Sequence, residues 1–322
     1  MVIGTGGTIA SSGAGAVDLH NYSVTSTVQE ILAAVPEVAE LAELTSDQPV
    51  SVDSFKIDNP ILLAIARSVL AAVANPRIDA VVVTHGTDTL EETAYFLHLA
   101  VRTVKPIVVV GAMRPANALS ADGPLNLYNA VLIATSHASS GKGVLIVANN
   151  HVFGARDLAK RDTSAIGAIE GMKYGILAEI SGDRVDFTHF PAKPHTVHSE
   201  FDLAQVEALP DVDIMFDHQG AGDHLYRASL EAGATAIVVA GMGNGSLSVG
   251  ARQGALLAHQ IGIPFIRASR TGQGIVAPLK SDVALGIIAG NSLTPQKARI
   301  LAMLAIAHRK SGADLQAIFD RY

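Results

Sequence analysis

Short, uninterrupted apolar runs recur along the chain, and longer stretches with helical periodicity separate them. The runs are Ala80 to Thr84, Pro106 to Val110, Val144 to Ala148, Ile214 to Phe216, Ala236 to Ala240 and Pro264 to Ile266. Runs without polar alternation read as parallel strands covered on both faces. The helical patterns include Leu90 to Val101, Leu125 to Thr135, Ala228 to Ala232 and Pro295 to Arg309. This alternation predicts an α/β, doubly wound architecture. Periodicity lapses around Pro191, Pro194 and Pro210. The expected organisation is therefore a larger α/β domain over 1–189, a linker over 190–210 and a smaller α/β domain over 211–322.

In open α/β sheets, ligands bind outside the carboxyl ends of the strands. Four segments occupy that position: Gly4 to Thr8, Thr84 to Thr89, Gly111 to Pro115 and Gly241 to Gly245. The first strand is short, with only Met1-Val2-Ile3 before the glycines. Either it is a very short strand or sequence upstream is missing.

Composition narrows the function classes. The 322 residues are 49% hydrophobic and 16% charged, which suits a folded chain with a sizeable core. The net charge of −7 offers no electrostatic footprint for nucleic acid or an anionic membrane, and neither is an expected partner. There is no cysteine, which removes disulfides, thiolate zinc sites and cysteine nucleophiles. No apolar run reaches the roughly 18 residues of a membrane helix. No secretory leader is visible, so the expected compartment is cytoplasmic, or periplasmic if a leader is missing.

Each candidate residue has a plain reading beside the chemical one. Thr8 follows paired glycines that let the backbone approach a ligand closely; the plain reading is a tight turn. Gly4-Thr5-Gly6 opens a dinucleotide fingerprint, but Ile9 occupies the third glycine slot. Asp88 with Glu91, or Thr89 with Glu92, forms a capping box for the helix that follows. That box leaves Gly86 and Thr87 unexplained, and a carboxylate at a strand end suits an ammonium ligand. Lys160 lies in the mixed-charge run Arg156 to Asp162, by default a solvated face; turned inward, it would serve as a base toward a hydroxyl. Tyr22 reads as surface, or as a phenol relaying a proton. The twelve histidines include no zinc-type helical pair, and His195 and His198 fall in the linker. No metal site, Gly-x-Ser-x-Gly elbow or Walker loop is present.

Taken together, the motifs resemble the bacterial L-asparaginase and glutaminase-asparaginase family, nearest its type II branch. They are Thr5 to Ala10, Thr84 to Leu97, Gly111 to Pro115, Ser120 to Ala130, Gly243 to Ser246 and Pro295 to Leu301. The resemblance runs nearly end to end. It implies two α/β domains, the larger built on a flavodoxin-like doubly wound sheet. It also implies a homotetramer made as a dimer of intimate dimers, with each site closed by a neighbour's C-terminal domain. By the same resemblance Thr8 is the nucleophile, Tyr22 the phenol beside it, and Thr87, Asp88 and Lys160 a second triad. Ser54 is implied as a ligand of the substrate α-carboxylate, and Ala112 as a main-chain contact to the amide. The implied activity is hydrolysis of L-asparagine, with glutamine as a further substrate and no cofactor.

Two positions depart from the family. Phe55 stands where Gln or Glu usually helps bind the substrate α-amino group, and Lys56 follows it. The segment Gly272 to Asp282 lacks the Glu that the family lends to a partner's site; Asp282 is its one carboxylate. A weakly active amino-acid-binding paralogue is the alternative these departures support.

Overall fold

The computed structural model describes residues 1–172 and 174–322, which divide into two compact units, Met1–Leu203 and Ala204–Tyr322. Among the described residues, the first unit carries an eight-stranded sheet. Its strands are β1 (Val2–Gly4), β2 (Ser46–Asp47), β3 (Val81–Thr84), β4 (Ile107–Val110), β5 (Val144–Ala148), β6 (His151–Gly154), β7 (Ala178–Ser181) and β8 (Arg184–Phe187). They lie in the order β8-β7-β6-β5-β4-β3-β1-β2. From β5 to β2 every pairing is parallel. From β5 to β8 every pairing is antiparallel.

The parallel half behaves as its composition dictates. All residues of β3, β4 and β5 are buried, because helices cover both faces. Each fully buried Val, Leu or Ile contributes about 1.5–3 kcal/mol. The antiparallel half comes from strands outside the apolar runs, so the sheet as a whole is mixed. Its entry signal was Asn149-Asn150, which turn from β5 into β6 with φ 49° and 61°. Two consecutive left-handed residues fit a two-residue hairpin whose twist matches its strands. Strands β7 and β8 alternate buried with more exposed residues, as an outer hairpin should.

Helix Asn59–Ala74 was not anticipated from the sequence. Asp58 caps it by accepting from the Ile61 N–H at 2.9 Å, and Pro60 sits in its first turn. Its buried stripe Leu62, Ala66, Val69 and Val73 has helical spacing. The capping box expected before helix Leu90–Ala100 is absent. Neither Asp88 nor Thr89 caps that helix, because both side chains are engaged elsewhere.

The second unit holds β9 (Val212–Phe216), β10 (Ala236–Gly241), β11 (Phe265–Ser269) and β12 (Ile287–Ala289), parallel and in that order. Helices Val249–Gln260 and Pro295–Ala307 begin on Ser248 and Thr294, each accepting from the N–H three residues on. The residues of 190–210 are not featureless. They form short turns at Thr196–His198 and Leu203–Gln205, and His195, Phe201 and Leu203 are buried. Within the first unit, His195 lies against His98 with ring centroids 5.0 Å apart. Among the described residues, no helix is long and apolar enough to cross a membrane.

Candidate active site

The turn after strand β1 holds two glycines with left-handed backbones, Gly6 at φ 97° and Gly7 at φ 79°. A Cβ on Gly6 would overlap the Val52 backbone, and one on Gly7 the Gly86 backbone. The turn after β1 therefore packs main chain on main chain against the turn after β3, which no larger residue permits. Gly7 N–H donates to Val52 O at 3.0 Å, and Ser11 Oγ donates to Gly7 O at 2.9 Å. This frame delivers Thr8, itself buried, at the start of a short 3₁₀ turn. The Thr8 hydroxyl donates to the Tyr22 phenol at 3.1 Å.

Tyr22 is not a loose surface side chain. It belongs to the strand Tyr22–Val24, which pairs antiparallel with Ser11–Gly13. A second ribbon pairs Leu158–Lys160 with Ile169–Gly171. Its existence corrects the solvated-face reading of 156–162. Leu158 and Ala159 are buried, and the Lys160 side chain is only 19% exposed. The Lys160 ammonium donates to Thr87 Oγ1 at 3.0 Å and to Asp88 Oδ1 at 2.8 Å. Tyr22, Thr87, Asp88 and Lys160 line one cavity of about 120 Å³, together with Leu19, His20, Met113, Thr163 and Ser164. Thr8 is not among the lining residues and is linked to them by its bond to Tyr22.

The supporting residues follow from the same geometry. Thr89 Oγ1 donates to Ser54 O at 2.9 Å, tying the Ser54 turn to the β3 end. The Ser54 hydroxyl lies beside Gly86, leaving no room for a Cβ there. Ala112, in the turn after β4, is buried. That turn is clamped by Asp122, whose two oxygens accept from Met113 N–H and Arg114 N–H, both at 2.9 Å. Asn126 adds a bond to Gly111 O at 3.1 Å. Sequence reasoning gave Asp122 and Asn126 no role. Their signal was two side chains able to satisfy a short turn's amides and carbonyls in the segment after it.

His85 is fully buried, and burial pushes its imidazole down to about 4, partly countered by the bond to Gly86 O. The ring is neutral at pH 7, so Nδ1–H donates to that carbonyl at 2.7 Å. Among the described residues no group of His, Asp and Glu side chains is arranged to hold a metal ion.

Ser54 and Ala112 are not among the lining residues, nor are the two positions at which the sequence departs from the family. Phe55 is 67% exposed, and its neighbour Lys56 pairs with Asp53 at 2.9 Å. In the second unit, Asp282 is buried and accepts from Arg267 Nη2 at 2.8 Å and from Leu279 N–H at 2.9 Å. Arg267 also donates to Asn244 O at 3.1 Å and to Ala277 O at 2.7 Å. The glycine segment 241–245 thus wraps a structural arginine, and Asp282 is committed to it.

Residues 1–193 match the family model "Asparaginase, N-terminal", and residues 211–319 match "Glutaminase/Asparaginase C-terminal domain". L-asparaginase 2 of Bacillus subtilis is 41% identical over all of this chain and 86% of its own length. The glutaminase-asparaginase of Pseudomonas fluorescens is 38% identical over all of this chain and 90% of its own. The crystal structure of a probable cytoplasmic L-asparaginase from Campylobacter jejuni superposes with a TM-score of 0.97 at 36% identity, covering 100% of this chain and 98% of that one. With both of its units matched in sequence and the whole chain matched in fold, this protein belongs to the asparaginase family.

Proposed function

We propose that this chain hydrolyses the side-chain amide of L-asparagine to L-aspartate and ammonia through an ester on Thr8, and that it also accepts glutamine. The observation that carries the reading is the Lys160 ammonium, which bridges Thr87 Oγ1 and Asp88 Oδ1 inside the cavity that Tyr22 shares.

A threonine hydroxyl is a weak nucleophile at neutral pH and needs a partner for its proton. Tyr22, 3.1 Å from Thr8 Oγ1, is that partner. Attack on the amide carbon places negative charge on its oxygen, which a backbone N–H and the Thr87 hydroxyl would meet. Lys160 tunes Thr87 through its 3.0 Å bond. Asp88 holds the substrate α-ammonium, Ser54 its α-carboxylate, and the Ala112 main chain its amide. Ammonia leaves, and water cleaves the ester. Discrimination between asparagine and glutamine rests on one methylene, worth about 1–3 kcal/mol. The proposed assembly is a homotetramer, a dimer of intimate dimers, and light scattering of the purified chain tests it. The proposed compartment is the cytoplasm, where the Campylobacter relative is also placed, and cell fractionation tests that.

The test of the activity is ammonia release from both amides by the wild type and by Thr8→Ala and Thr87→Ala. Undiminished turnover in Thr8→Ala removes the threonine ester.

The exposed Phe55 and the committed Asp282 favour a second reading, a binding paralogue of low activity on the same fold. Calorimetric binding of aspartate with no ammonia released from either amide would select it.

A further inference from the structure

Tyr22 can take a proton from Thr8 only while its phenol stays at the 3.1 Å seen here. Its own strand gives it slight support. Tyr22–Val24 pairs with Ser11–Gly13 over three residues, in a sheet of two strands. A ribbon that small is marginal by itself in water. One end is tied down where Thr25 N–H and Ser26 N–H both donate to Ala10 O, at 2.9 and 3.0 Å. Tyr22 stands at the other end, opposite Gly13, where the chain opens into a loop that leaves Val17 81% exposed.

That end is held from outside the ribbon. Gly13 N–H donates to Asn117 Oδ1 at 2.8 Å, and Asn117 Nδ2 donates to Gly13 O at 2.8 Å. One carboxamide thus serves both main-chain groups of one residue, as the opposite residue of a neighbouring strand would. Ala116 N–H adds a bond to Ser11 O, and Leu119 N–H one to Ala16 O, each at 2.8 Å. The segment 116–119 stands in for a third strand along the outer edge of Ser11–Gly13. It is itself fixed, because Arg114 Nη1 donates to Leu119 O at 3.2 Å and to Ser120 O at 3.1 Å, and Asp122 clamps the turn before it. Gly13 also sits tight against the loop: a Cβ on it would lie 2.8 Å from Asp18 O.

We infer that Asn117 is a positioning residue for the reaction at Thr8: it fixes Gly13, and through Gly13 the opposite residue Tyr22, without touching substrate. The inference rests on the threonine-ester reading, with Tyr22 as the partner for the Thr8 proton. The segment that carries Asn117 also carries Ala112, so one clamped piece of chain sets the proposed amide contact and the phenol together. Misplacing a reacting group by about 1 Å can cost about 10²-fold in rate. Asn117 is exposed, so replacing it strands no deeply buried polar group, and the fold should survive the change.

The experiment measures kcat and KM for L-asparagine, and the melting temperature, on the full-length chain. It compares the wild type, Asn117→Ala, Asn117→Leu, Tyr22→Phe, and Asn117→Ala combined with Tyr22→Phe. Leucine keeps the shape of the asparagine and removes both bonds. Each Asn117 variant should lower kcat at least about tenfold and leave KM within about threefold. Each should melt within about 3 °C of the wild type. In the Tyr22→Phe background, Asn117→Ala should change kcat less than about twofold, because the phenol it serves is gone. Unchanged kcat in both Asn117 variants overturns the positioning role. An equal loss of kcat in both backgrounds overturns it too, since Asn117 would then act by another route. A loss of kcat that tracks a fall in melting temperature makes Asn117 a merely structural residue. A raised KM with kcat kept overturns the role whether or not Tyr22→Phe retains measurable turnover. Full activity in Tyr22→Phe removes the proton path of the parent reading, and the inference with it.

Discussion

Two ion pairs, one in each unit, make an instructive contrast. Lys160–Asp88 in the first unit and Arg267–Asp282 in the second both measure 2.8 Å. The side chains of the first pair are 19% and 51% exposed, and those of the second 2% and 6%. The second pair spends its donors on backbone carbonyls and fixes two loops. The first pair spends its lysine on a threonine hydroxyl and leaves one carboxylate face open to a cavity. An ion pair of the same length therefore carries structure in one unit and candidate chemistry in the other. Solvent access, more than bond length, separates them.

The largest expected effect falls on the reactive side of this contrast. Thr8→Ala should cost at least about 10⁴-fold in kcat, in the range seen when other nucleophiles are deleted, while thermal unfolding moves little. A melting temperature that drops with the activity would make Thr8 a packing residue. Next, the two aspartates should behave oppositely. Asp282→Ala strands a buried guanidinium and should destabilise the chain by about 3–5 kcal/mol. Asp88→Ala breaks a half-exposed pair and should cost under about 1 kcal/mol while weakening substrate binding. Denaturant midpoints that rank them the other way would erase the contrast.

A smaller effect is expected from pH. His85 is neutral in the folded chain down to about 4, whereas an unfolded histidine gains its proton near 6.5. Between those values the unfolded state binds more protons. Stability is thus fully present above about 6.5 and is lost as pH falls toward 4, by about 3 kcal/mol. His85→Asn should flatten that part of the profile, and a denaturant series at pH 4.5 and 7 reads it. A stability effect near that of Asp88→Ala belongs to Thr89→Val, which removes the bond to Ser54 O and should cost about 1 kcal/mol. If Ser54 serves the α-carboxylate, the variant should raise KM more than it lowers kcat.

Much of this was legible in the sequence. The buried runs Ala80 to Thr84, Pro106 to Val110 and Val144 to Ala148 became β3, β4 and β5 within a residue. Their apolar continuity suits strands covered on both faces. Helix Asn59–Ala74 was missed although Asp58-Asn59-Pro60 is a start signal. The hairpins after β5 were missed because their strands are only four residues long, too short for alternation to register. Sequence reasoning also gave Thr89 to a helix cap. Its hydroxyl bonds across 35 residues to Ser54 instead, a partner that no local pattern announces.

The sequence alone determined the α/β class, the location of the buried strands along the chain and the glycine turns that must lie at their tips, because periodicity and φ > 0 positions are properties of neighbouring residues. It also carried the motifs that resemble the asparaginases. Tertiary structure alone decided that Lys160 turns inward to Thr87 and Asp88, that Tyr22 meets Thr8, and that Asp282 is taken up by Arg267. Those bonds join residues 14 to 73 positions apart. At such separations, burial and competition among partners choose the contact, and only the folded chain holds the competitors in place.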